Sequence, residues 1–218
     1  MSGPKRPSTN EVFLAGLKAH GSPLEYFVFK YRRRLGLAFF LVALLGTCVA
    51  TWPPPAVREA QQSSGVQSAH GIGVALYSYA QDHGGKYPDG KSSTEVFQKL
   101  MDGGYVTDPT IFFLPGVSGK TKGTGTVLKP ENVCWDFTKG TRPDDTSGVA
   151  LVFSTGTQMD YTRGKKARVF KDAPFESEGV AVFFSNEAAA FIPVQDGEAR
   201  IHSEDYDPKG QPYLQLTP

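Results

Sequence analysis

Few residues in this 218-residue chain combine a reactive type with a useful spacing. The four histidines are His20, His70, His83 and His202, and none has a second histidine or a cysteine at metal-ligand spacing, so no zinc site is predicted. Gly119-Lys120-Thr121 has the end of a phosphate-binding loop. That loop needs a glycine five residues before Gly119, where Leu114 stands, and no helical pattern follows it. Serine, histidine and aspartate are all present, but without a nucleophile elbow of the G-x-S-x-G kind. These residues therefore predict no catalytic residue, no cofactor and no metal.

Two charged clusters are weighed on the same terms. Asp144-Asp145, with Asp136 or Asp160, could supply oxygen ligands to calcium, but no spacing resembles an EF-hand, and acidic loops are usually solvated. Arg163-Gly164-Lys165-Lys166-Ala167-Arg168 could meet an acidic surface and reads more simply as a solvated hairpin loop. Nucleic acid is excluded as a partner, because that role calls for a basic domain. Residues 1–34 hold seven Lys and Arg against two Glu, a net +5, which leaves −4 for residues 35–218 of a chain whose net charge is +1.

Behind these residues, one stretch organises the chain. Leu35 to Trp52 is eighteen residues without a charge, preceded by Lys30, Arg32, Arg33 and Arg34. Its length nearly matches a hydrocarbon core of about 30 Å. The basic flank predicts a cytoplasmic N-terminus and export of everything after Trp52. A cleaved signal would need a 34-residue charged region, so an uncleaved anchor is preferred. Leu45-Gly46-Thr47-Cys48 outlines a lipoprotein box with an unfavourable Thr47. Cys134, the only other cysteine, reads as a buried free thiol.

The remaining elements follow from pattern. Asn10 to His20 is a short amphipathic helix, and Ser22-Pro23 with Glu25 marks a helix start running into the span. Val66, Ala69, Ile72, Gly73, Leu76, Tyr79 and Ala80 make one apolar face of a longer helix. Residues 58–65 are polar all round and predict solvent or a flexible stem. Ser92 or Ser93 caps a third helix that ends at Gly103-Gly104. Strands are predicted at Asn132–Thr138, Val149–Ser154, Ala167–Phe170, Val180–Phe184 and Ala189–Val194, the last two joined by a hairpin loop, Ser185 to Ala188. After Gln195 the tail carries no core signal. Helices first and strands afterwards predict an α+β domain, with helix over one face of a small antiparallel sheet.

Ile72-Gly73-Val74-Ala75-Leu76-Tyr77-Ser78-Tyr79-Ala80-Gln81-Asp82, followed by Lys86-Tyr87-Pro88, resembles a run common in type II secretion pseudopilins and type IV pilin-like proteins. Thr107-Asp108-Pro109 with its apolar continuation resembles their D-P-x-x-F segment, and Gly179 to Asn186 resembles their closing strand and turn. The similarity covers residues 35–194. It implies a pilin-like fold, with pilin-like subunits or secretion-platform proteins as partners. The N-terminus departs from the family: the fifth residue after Gly36 is Leu41, where pilin-like precursors carry glutamate. That departure implies that residues 1–35 are retained and that the chain is an accessory, not the bulk of a filament.

The reading that results has five parts: a cytoplasmic arm at 1–34, a transmembrane helix at 35–52, a stem at 53–65, a pilin-like domain at 66–195 and a tail at 196–218. The expected protein is a single-pass bacterial inner-membrane protein in contact with the lipid bilayer, its C-terminal domain periplasmic. Its expected role is a non-enzymatic structural or accessory component of a type II secretion or pilus-like assembly. The alternative is a membrane-anchored ligand-binding or sensor module on the same scaffold.

Overall fold

The computed structural model describes residues 9–20, 55–203, 206–208 and 210–218. The chain divides into two units, residues 1–54 and 55–218. In the first, the described part is helix α1, Thr9–His20, which matches the amphipathic pattern read from Asn10.

The second unit opens with helix α2, Pro55–Asp82, twenty-eight residues long, and proline suits the first helical position. Ala69, Ile72, Ala75, Leu76 and Ala80 are buried, so the predicted stripe faces a core. Two glycines inside the helix are places of close approach. A Cβ at Gly73 would fall 2.2 Å from the Phe183 ring, and one at Gly65 would fall 2.5 Å from the Phe175 ring. Residues 58–65 are not a free stem. They are helical, and Arg58 Nη1 donates to Glu178 Oε1 at 2.5 Å while Gln62 Nε2 donates to Glu178 Oε2 at 3.4 Å. Polarity all round read as exposure, and Glu59, Gln61, Ser63 and Ser64 are exposed. Arg58 and Gln62 are half-buried against the Glu178 carboxylate, just before the strand that starts at Gly179.

Helix α3, Ser93–Asp102, starts as its sequence predicts. Ser92 Oγ accepts from Glu95 N at 3.3 Å, Glu95 Oε2 accepts from Lys91 N, and Val96, Phe97 and Leu100 are buried.

Eight strands follow: β1 Trp135–Lys139, β2 Ala150–Ser154, β3 Thr157–Gln158, β4 Ala167–Val169, β5 Gly179–Phe184, β6 Ala189–Gln195, β7 Glu198–Ala199 and β8 Leu214–Leu216. They form one antiparallel sheet in the order β3-β4-β7-β6-β5-β2-β1-β8. Only Thr155 and Gly156 separate β2 from β3, yet β3 is the far edge of the sheet. The sheet must therefore curl so that its edge returns to β2. Gly156 makes the bend at φ +78°, and a Cβ there would meet the Ala173 backbone at 2.7 Å.

Alternation along the strands sends side chains to two cores. Trp135, Phe137, Leu151, Ala181 and Phe183 join Ile72, Leu76, Phe97 and Leu100 in the core beneath the helices. Phe153, Ala167, Val169, Val180, Val182, Ala199 and Ile201 fill the inside of the curled sheet.

These observations correct the predicted architecture. The expected pilin-like arrangement, a helix on a small sheet, is replaced by an eight-stranded curled antiparallel sheet with few helices. Pattern reading missed β3, β7 and β8 because two or three residues are too short to show alternation. The tail after Gln195 is also not peripheral, since Ala199, Ile201, His202, Tyr206 and Leu216 are buried. The expected single-pass inner-membrane placement, with its periplasmic domain, is corrected as well. Among the described residues no helix is long and apolar enough to cross a membrane. The longest, α2, carries Arg58, Glu59, His70 and many polar side chains. The stretch Leu35–Trp52, on which the placement was argued, lies outside the described residues.

Candidate functional site

The three segments that carry the resemblance are far apart in sequence and meet on α2. Gly73 admits the Phe183 ring, and Tyr77 stands edge-on to both Phe183 and Tyr87, at 6.2 and 5.7 Å between centroids. The Tyr77 hydroxyl donates to the Ser185 carbonyl, which ties the helix to the turn after β5. Asp108 caps the short 3-10 turn Pro109–Phe112 by accepting from Thr110 N at 2.9 Å. That turn brings Ile111 against α2, where a Cβ on Gly71 would lie 2.8 Å from Ile111 Cδ1.

An open groove of about 660 Å³ runs between them. Ser64, Ser68 and Gly71 form its helix wall, one face at steps of four and three. Val106, Ile111, Phe113 and Pro115 form the facing wall, with Asp108 and Lys122 as charged groups. The helix wall is made of small side chains, and the other wall mixes these apolar residues with Tyr105, Thr107 and Thr110. This shape suits a second helix or a flat apolar surface more than a small polar substrate.

A polar, aromatic nest lies on the inner side of the curled sheet. His202 Nε2 accepts from Ala150 N at 3.3 Å, and the ring stacks on Tyr206 at 4.1 Å. Burial holds the imidazole down to about 4, against a weaker upward pull from Asp160. Thr138 Oγ1 lies 2.8 Å from the Tyr161 hydroxyl. Asp145 Oδ2 accepts from the Tyr213 hydroxyl at 2.6 Å.

Asp136, on β1, is 1 % exposed. Its Oδ2 accepts from Gln215 Nε2 at 2.6 Å, and Oδ1 has no hydrogen-bond partner. Burial pushes the carboxyl up to about 7, opposed by the hydrogen bonds of Gln215 and Thr155 and by the Lys120 charge. Gln215 also donates to the Thr157 carbonyl at 2.6 Å and accepts from Met159 N at 2.9 Å. Nothing in the sequence pointed to Gln215. For Asp136 there was one signal, an acid set between Trp135 and Phe137 in an apolar strand.

The residues singled out for chemistry are dispersed. His20 ends α1, and nothing is described of its side chain. His70 meets the edge of Phe183, and His83 stacks on Tyr79 at 3.8 Å. Cys134 is a buried free thiol whose pKa burial raises, and its Sγ faces the Leu114 carbonyl. Lys120 donates to the Pro130 carbonyl and the Thr121 side chain accepts from Asn132, so the Gly119-Lys120-Thr121 loop is engaged with its own chain.

The aspartates considered for calcium serve separate purposes. Asp144 pairs with Arg142 at 3.0 Å, Asp145 Oδ1 accepts from Ser147 N and Asp160 Oδ1 accepts from Thr162 N. Among the described residues no group of three or more His, Cys, Asp or Glu could hold a metal ion. The basic run 163–168 is the loop between β3 and β4 and the start of β4, with Lys166 paired to Glu198 at 3.1 Å and Arg168 over the Phe170 ring.

Comparison of the chain with protein-family models, with curated proteins and with solved structures finds no match.

Proposed function

We propose that this protein is a non-enzymatic structural or accessory component of a protein assembly of the secretion or pilus kind, docking a helix of another subunit in the groove beside α2. The observation that carries this reading is the groove itself. The small residues Ser64 and Ser68 allow a partner backbone to approach, and Ile111, Phe113 and Pro115 offer it apolar surface. One wall includes a segment that resembles pseudopilins, the turn Thr107 to Phe113, and the other lies on the helix that continues into the resembling run Ile72 to Asp82. With the sheet different from the one expected, the resemblance rests on these segments.

Photo-crosslinking in cells tests it. A photoreactive residue at Ser68 is expected to give a defined adduct whose partner, by mass spectrometry, is a pilin-like subunit or a secretion-platform protein. The same residue at Val127, which is 67 % exposed and outside the groove, is expected to give none. No adduct at Ser68, or equal yield at both positions, overturns the reading.

A ligand-binding role is the second reading. It is favoured by a separate polar cleft of about 310 Å³ lined by Arg142, Asp144, Asp145, Asp207, Gln211 and Tyr213. Both signs of charge line that cleft, which suits a small zwitterion more than an apolar compound.

A further inference from the structure

The C-terminal strand β8 has one ladder partner, β1, with Phe137 opposite Leu216 and Lys139 opposite Leu214. Three residues of hydrogen-bonded ladder at a sheet edge are weak by themselves. What else seats the strand is concentrated in three contacts. Leu216 is buried in the core beneath the helices. The Thr217 carbonyl accepts from Ser93 N at 3.0 Å, at the start of α3. Gln215 reaches across to the opposite edge, joining Asp136 on β1 to the Thr157 carbonyl on β3 and to Met159 N just beyond it. Its amide therefore spans the place where the two edges of the curled sheet come together.

This contact is poorly matched to an ionised carboxylate. Asp136 has one short hydrogen bond, from Gln215, and a weaker stabilising interaction with the Thr155 side chain, while its buried Oδ1 is unpaired. The Thr157 hydroxyl, also buried, has no partner either. The nearest cationic influence is Lys120, from the loop before β1, and its ammonium is already bonded to the Pro130 carbonyl. Tyr161, from the loop after β3, also faces the carboxylate, which together with burial holds that phenol protonated. A neutral carboxyl loses little by burial in such a place, whereas a charged one is expelled toward water unless paired.

We propose that Asp136 and Gln215 form a proton-operated clasp: with Asp136 protonated β8 is seated, and as Asp136 ionises β8 is released and the β1 edge is uncovered. Release exposes the unpaired backbone groups of Phe137 to Lys139 and removes the Thr217 cap from α3, so a local event reaches two elements. An uncovered edge of this kind is the surface to which an extended segment adds.

The linkage has a definite form. The closed seat binds a proton up to about pH 7, and the open strand leaves an ordinary carboxyl that loses it near 3.8. Between those values each rise of one pH unit multiplies the opened population by up to about tenfold, and above pH 7 it levels off.

Hydrogen exchange followed by mass spectrometry on the full chain tests this, with protection factors corrected for the intrinsic pH dependence of exchange. Protection at Leu214 to Leu216 and at Phe137 to Lys139 is expected to fall by up to about tenfold per pH unit from 4.5 to 7 and to flatten above. Val180 to Val182, inside the sheet, should show no such slope. In Asp136→Asn the slope should vanish with protection retained. In Gln215→Leu, protection of β8 at pH 5 should fall at least about tenfold, through loss of the side-chain hydrogen bonds to neutral Asp136, the Thr157 carbonyl and Met159 N. A flat wild-type profile, an equal slope at Val180 to Val182, or wild-type protection of β8 in Gln215→Leu overturns the clasp, whether or not the asparagine variant folds.

Discussion

Burying an apolar side chain and burying a carboxyl have opposite costs, and strand β1 does both, one on each face. Trp135 and Phe137 point to the helices while Asp136, between them, points into the curled sheet. On the helix side Leu76 is fully buried, and Leu76→Ala should cost about 2–5 kcal/mol in denaturant unfolding of the purified protein. An unchanged midpoint would show that the face is wrongly assigned. The stripe was legible for Ile72 and Leu76 because a period of 3.6 is visible over four turns. Tyr79 sits at its margin, half-buried against the core and packed on His83 and Tyr105. Periodicity records which face is apolar, and a tyrosine at its margin fits a second shelf equally well. Asp136 was singled out only as a candidate calcium ligand, and its pairing with Gln215 was hidden for a different reason. The two lie 79 positions apart in sequence, and no local pattern encodes a contact made by closing a sheet.

At the scale of the element, the bend between β2 and β3 determines the architecture. A straight continuation would carry Thr157 away from the sheet, and the kink at Gly156 turns it back to pair with β4. The Cβ of an alanine would be forced against the Ala173 backbone in a left-handed conformation. Gly156→Ala should therefore cost about 1–3 kcal/mol, read as a lower denaturant midpoint. A neutral result would mean that the bend is held elsewhere. The five strands read from the sequence are all present as β1, β2, β4, β5 and β6, with ends moved by up to three residues. They are the ones long enough to show β-branched or aromatic runs. The missed strands, β3, β7 and β8, are held by the sheet around them and not by their own propensity. They are also what turns a small sheet into a curled one, so the fold class was lost with them. The α2 groove was half legible. The Asp108-Pro109 wall was noticed as a motif, but Ser64, Ser68 and Gly71 were not, and the juxtaposition needs the 3-10 turn at Pro109–Phe112.

At the scale of the whole molecule, the two buried titratable groups of the inner sheet oppose each other, and that opposition can be measured. Asp136 has its pKa raised from 3.8 to about 7, so between those values the folded state holds a proton that the unfolded chain has lost. Its contribution is full below pH 4 and declines as pH rises toward 7. His202 is lowered from 6.5 to about 4, so in that interval the unfolded chain holds a proton that the folded state lacks. Its contribution is full above pH 6.5 and declines as pH falls toward 4. The slopes are equal and opposite, about 1.4 kcal/mol per pH unit each at the limit. Their sum is a stability nearly flat from pH 4.5 to 6.5 as far as these two groups govern it. Removing either charge should unmask the other. Asp136→Asn should make unfolding free energy rise with pH across that window, and His202→Gln, which keeps an acceptor for Ala150 N, should make it fall. Denaturant titrations at pH 4.5, 5.5 and 6.5 on the wild type and both variants decide it. Parallel profiles for all three proteins would show that neither group is held as the buried geometry requires.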